Sequence, residues 1–78
     1  MVKLDVSMLR YLSKDDFRVL IAIEMGMKNH QTVPTELVCS IAKLKRGGAY
    51  KCLQTLLKHK LIQHDNKKYD GYKLNYSG

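Results

Sequence analysis

Between residues 49 and 76 the spacing of apolar side chains switches from a helical period to a strand period, and few small folds accommodate that switch. Ala49, Cys52, Leu53, Leu56 and Leu57 fall at i, i+3, i+4, i+7 and i+8, which is one buried stripe of a helix. Tyr72, Leu74 and Tyr76 alternate with Lys73 and Asn75, the period of a half-buried strand. Residues 61–65 can supply a partner strand. The loop between them carries Lys67, Lys68 and Tyr69 and closes on the turn pair Asp70-Gly71. The spacing therefore predicts a helix over about 49–59 and a hairpin over about 61–76.

Upstream, the signals are helical. Asp5 can cap a short helix over about 5–11, with Val6 and Leu9 on one side. Ser13 with Asp16 three residues on is a carboxylate form of the capping box, and Leu12 and Phe17 suit a hydrophobic staple across it. Asp15 and Asp16 also favour the positive end of the helix dipole. This predicts a helix over about 14–28, with Phe17, Leu20, Ile21, Met25 and Met27 offered to the core and a turn at Asn29, His30 and Gln31. Pro34 fits the first position of a helix over about 34–42. Glu36 lies in its first turn, and Leu37, Val38, Ile41 and Leu44 form its apolar side. Gly47-Gly48 is expected to break the chain before the next helix.

Charge divides the chain unequally. The formal net charge is +7. Residues 1–42 hold five basic and five acidic side chains, whereas 43–78 hold nine basic against Asp65 and Asp70. One face of the second half is thus expected to meet an anionic partner. No run nears the roughly 20 apolar residues of a membrane span, and the start Met-Val-Lys-Leu-Asp lacks the apolar core of a signal peptide. A soluble, non-secreted chain is expected, with Cys39 and Cys52 as reduced thiols.

Two short helices joined by a Gly-containing turn, then a basic hairpin, describe an α+β, mainly α fold: a winged helix-turn-helix, a single domain over 1–78. The helix over 49–59 would be the recognition helix and the hairpin the wing. Its outer face presents Tyr50, Lys51, Gln54, Thr55 and Lys58. Lys45, Arg46, Lys51 and Lys58 are the expected phosphate contacts, with Gln54 (and Thr55 beside it) as polar readers, Tyr50 on the same face, and Lys67 and Lys68 clamping from the wing. DNA, RNA and an acidic protein surface all remain open as partners.

Other chemistries fit less well. Cys39, Cys52, His59 and His64 follow the order of a zinc finger, but the cysteines stand too far apart and Cys52 lies on the apolar stripe. Gly47-Gly48 lacks the lysine and spaced glycines of a phosphate loop. His30, His59 and His64 read as surface residues near element ends, and Met8, Met25 and Met27 as packing residues. No metal, cofactor or catalytic residue is expected.

The runs at 9–20 (Leu-Arg-Tyr-Leu-Ser-Lys-Asp-Asp-Phe-Arg-Val-Leu), 24–30 (Glu-Met-Gly-Met-Lys-Asn-His) and 56–62 (Leu-Leu-Lys-His-Lys-Leu-Ile), with Gly47-Gly48 and Gly71-Tyr72-Lys73-Leu74, resemble the start of the RIO kinases that carry an amino-terminal winged helix, the second RIO subfamily. The resemblance covers nearly all of the chain. It implies an atypical serine/threonine kinase, behaving largely as an ATPase with ATP and magnesium, in late maturation of the small ribosomal subunit. It further implies a cytoplasmic location with nuclear passage, a monomer, and a winged helix that packs beside the kinase lobes and helps bind ribosomal RNA. Partners would be pre-ribosomal RNA and proteins and the kinase domain of the same chain. The kinase domain is expected to lie outside this chain, so none of the family's catalytic or ATP-binding residues carries over. A protein-docking or intramolecular regulatory module is the alternative role.

Overall fold

A computed structural model of the chain describes Arg10, residues 12–65 and residues 71–75. The helix expected over 5–11, apart from Arg10, lies outside the described residues, as do Lys67, Lys68, Tyr69 and Tyr76.

Helix α1 (Lys14–Gly26) starts at the predicted capping box. The Ser13 hydroxyl accepts from the Asp16 amide at 3.2 Å, and an Asp16 carboxylate oxygen accepts from the Ser13 amide at 2.9 Å. Two of the amides that a helix start leaves without partners are thereby satisfied. Leu12 is buried in the core and Phe17, five residues on, packs against it.

The rest of α1 departs from expectation. It ends at Gly26, two residues early, and the chain turns through Met27, Lys28 and Asn29. Its buried face is Val19, Leu20, Ala22, Ile23 and Gly26. Phe17 and Met27 are partly buried, whereas Ile21 and Met25 are 54% and 50% exposed. Apolar side chains stand on nearly every side of α1 (Phe17, Val19, Leu20, Ile21, Ala22, Ile23 and Met25), so their spacing alone does not choose the inner face. The small residues Ala22 and Gly26 mark the inner side instead, because they let another element approach closely. A Cβ on Gly26 would lie 2.7 and 2.8 Å from the two methyl carbons of Val33, itself fully buried.

Gly26→Ala is therefore expected to lower the urea unfolding midpoint. Overpacking against a rigid β-branched side chain costs about 1–3 kcal/mol, against roughly 1 kcal/mol gained by alanine over glycine in a helix. Val33→Ala should relieve the clash, so the two changes together should cost less than the sum of each alone. Strict additivity would show that the contact is not tight.

Val33 belongs to a strand that the sequence did not announce. Strand β1 (Val33–Pro34) is two residues long, too short to show a period. Pro34 is consequently the N-cap of helix α2 (Thr35–Ala42), one position before the place expected for it. A proline is tolerated there because β1 is an edge strand.

Helix α3 spans Arg46–Lys58 and so begins three residues before Ala49. Gly47 and Gly48 sit in its first turn and do not break the chain. The break is made upstream by Lys43, whose φ of 58° is left-handed, and by the extended Lys45. A non-glycine residue in that region costs roughly 1–2 kcal/mol.

Strands β2 (Ile62–Asp65) and β3 (Gly71–Leu74) form the predicted hairpin, with Ile62 opposite Leu74 and His64 opposite Tyr72. β1 pairs antiparallel with the other edge of β3, giving the order β1-β3-β2. The His64 and Tyr72 rings stack at 4.7 Å. Asn75 ties the hairpin base to the end of α3. Its amide donates to the Leu61 carbonyl at 3.0 Å and its side chain to the Lys60 carbonyl at 2.9 Å. Ile23, Val33, Val38, Leu53 and Leu56, all fully buried, join the three helices and the sheet in one core.

Candidate nucleic-acid interface

Packing decides which face of α3 is available. Ala49, Cys52, Leu53 and Leu56 are buried, as the stripe predicted, and Leu57 is partly so. That leaves Arg46, Tyr50, Gln54 and Lys58 exposed in one row at steps of four residues, with Lys51 exposed beside it. Tyr50 is 55% exposed, an unusual setting for an aromatic ring. Lys45, the N-cap, is exposed as well. The structure thus brings six of the eight expected residues onto one helix and its cap; Lys67 and Lys68 lie outside the described residues. Thr55 falls out of the set of polar readers. It is half-buried, and its hydroxyl donates to the Lys51 carbonyl of its own helix at 3.1 Å.

The start of α3 adds what the sequence reading missed. Its N-cap makes no side-chain bond and its first turn holds no acid. In α1, by contrast, Ser13 and Asp16 fill the corresponding place, and α2 has Glu36 in its first turn. The first amides of α3 have no acceptor within the helix, and a Cβ on Gly47 or Gly48 would meet nothing within 4 Å. Bare amides, the positive dipole end, Lys45 and Arg46 together make that end attractive to a phosphate. The signal was present in the sequence as two glycines between basic residues and a helical stripe, without any acid.

Behind this face, α1 and α3 are joined by a polar contact. Asp16 is only 7% exposed, and its carboxylate takes a hydrogen bond from the Cys52 thiol. Burial first, then that bond and the charges of Asp16 and Asp15, push the thiol from 9.0 up to about 11. Both cysteines are free. In the unfolded chain Cys52 ionises near its ordinary value, while in the folded one it stays protonated. Its contribution to stability is complete below about pH 9 and is lost as pH rises toward 11. The difference in urea midpoint between the protein and its Cys52→Ala variant should therefore shrink or reverse over that window. A difference independent of pH would refute the coupling. Among the described residues no group of three or more His, Cys, Asp or Glu could hold a metal ion.

A helix pair, α2 and α3, with a hairpin folded back on it and the outer side of the second helix left open, is a winged helix-turn-helix domain. The family model described as "Rio2, N-terminal" matches residues 9–78, and the chain belongs to that family. It is 64% identical to the serine/threonine-protein kinase rio2 of Dictyostelium discoideum, a match covering 99% of this chain and 15% of the relative. It is 53% identical to the serine/threonine-protein kinase RIO2 of Caenorhabditis elegans, over 100% of this chain and 15% of that one. The crystal structure of the Rio2 kinase ADP/Mg2+-phosphoaspartate complex from Chaetomium thermophilum superposes with a TM-score of 0.81 at 47% identity. That match covers 95% of this chain and 23% of the solved one. The chain thus spans about 15% of the length of the two kinases named first.

Proposed function

We propose that this domain is the nucleic-acid-binding module of a RIO-type serine/threonine kinase and holds that kinase on ribosomal RNA of the maturing small subunit. The observation that carries the reading is the exposed row Arg46, Tyr50, Gln54 and Lys58 with Lys51 beside it, continuous with the uncapped start of α3. Catalysis belongs to the remainder of the full-length kinase, which supplies the ATP and magnesium chemistry. Here the basic side chains hold phosphates, Gln54 meets a base edge or a ribose hydroxyl, and Tyr50 offers a stacking surface. An A-form duplex has a major groove too deep and narrow for a helix, so this face is suited to backbone phosphates and unpaired bases.

Fluorescence anisotropy with a structured RNA tests the reading. Neutralising about four to six phosphates predicts that log K falls with log salt at a slope of roughly −3 to −5. No binding at low salt, or binding indifferent to salt, contradicts it.

A second reading is favoured by Ile21 and Met25, which leave an apolar strip exposed on α1. In that reading the module docks on the kinase lobes or a ribosomal protein. Ile21→Glu with Met25→Glu would weaken the docking while RNA binding stayed unchanged.

A further inference from the structure

Among the described residues two hold a positive φ without being glycine, and both are lysines: Lys43 at 58° and Lys60 at 59°. They occupy equivalent places in the same device. Each is followed by a leucine whose amide reaches back over a helix end. Leu44 donates to the Cys39 carbonyl at 3.1 Å and Leu61 to the Leu56 carbonyl at 3.0 Å. This is the closing bond of the Schellman motif, whose left-handed position is most often filled by glycine. The leucines are accounted for by packing, since Leu44 and Leu61 both rest against the core. The lysines are not. Both are exposed, and no hydrogen bond or ion pair among the described residues engages either ammonium.

Position suggests what their charge is for. Lys43 stands two residues before the N-cap of α3 and Lys60 two residues after its last residue. They flank α3, a helix about 20 Å long, one beyond each end. The backbone at each is fixed. The Lys43 amide donates to the Cys39 carbonyl, and the Lys60 amide donates to the Leu57 carbonyl at 3.0 Å.

We propose that Lys43 and Lys60 are two further phosphate contacts of this face, one at each end of α3, standing for their charge where glycine would sit with less strain. The proposal rests on the nucleic-acid reading above and lengthens the interface at both ends. It identifies a position where binding and stability oppose each other, as strained residues at functional sites do.

Lys43→Gly, Lys60→Gly and the double variant test it, in the full 78-residue chain, by thermal unfolding and by anisotropy with structured RNA across a salt series. The double variant is expected to melt higher, by roughly 4–8 °C for each lysine replaced. It should bind about tenfold or more weakly, and its salt slope should be shallower by about 1 for each lysine removed. Wild-type affinity and slope in the double variant overturn the proposal. So does a lower melting temperature, which would make the lysines helix-end cations that stabilise the dipole. Lys51→Glu with Lys58→Glu, run alongside, separates the two levels. If it abolishes binding while the glycine variants bind normally, the Lys43 and Lys60 assignment alone fails. If it binds like wild type, or wild type does not bind, the nucleic-acid reading fails and takes this one with it.

Discussion

Replacing Lys51 and Lys58 together by glutamate is expected to weaken binding to structured RNA on the order of 100-fold at low salt. Both side chains are exposed on α3 and Lys58 ends that helix, so the change leaves the core untouched and the fold should be retained. The magnitude follows from losing two charge-assisted contacts, each worth at least about 1.4 kcal/mol, or tenfold. The salt slope should become shallower by about 2, because two counterions fewer are released. Lys51→Gln with Lys58→Gln should fall between, since it removes attraction without adding repulsion. A variant that binds weakly but keeps the full salt slope would mean that these lysines do not face phosphates. An unchanged affinity would shift the balance to protein docking.

The second large effect is on stability. Leu53→Ala removes a fully buried side chain from the junction of the helices and sheet. Such truncations cost about 2–5 kcal/mol. A domain of this size has roughly 4–12 kcal/mol in total, so the melting temperature should fall by more than about 10 °C. Ile21→Ala is the contrasting variant. Ile21 looks equally apolar in sequence, yet it is 54% exposed, and its truncation should change stability by no more than about 0.5 kcal/mol. Thermal unfolding by circular dichroism compares them directly. Equal losses would show that something covers Ile21.

That pair also marks how far the sequence could be read. The start of α1 was legible to the residue, because a capping box is a contact between positions three apart. The inner face of α3 was legible because its stripe is regular and buried on one side only. The hairpin was legible from its alternation. Four of the eight expected contact residues, Tyr50, Lys51, Gln54 and Lys58, follow from the stripe, since the outer face of a helix is whatever its stripe leaves over.

The remainder depended on what each segment meets. Apolar side chains stand on nearly every side of α1, and only the close approach of Val33 to Gly26 shows which side is core. Strand β1 exists because β3 offers it an unpaired edge, and two residues carry no period that could announce it. Gly47-Gly48 reads as a break, yet the chain turns at Lys43, whose left-handed backbone ends α2 and turns Leu44 onto the core. By itself, then, the sequence determined the start of α1, the buried stripe of α3, the hairpin and the concentration of charge after residue 42, all properties of neighbouring residues. Only the tertiary structure decided which apolar face is core, that β1 pairs with β3, and that lysines stand in glycine positions on either side of α3, because each depends on what the segment packs against: Val33 against Gly26, β1 against β3, and Leu44 and Leu61 against the core.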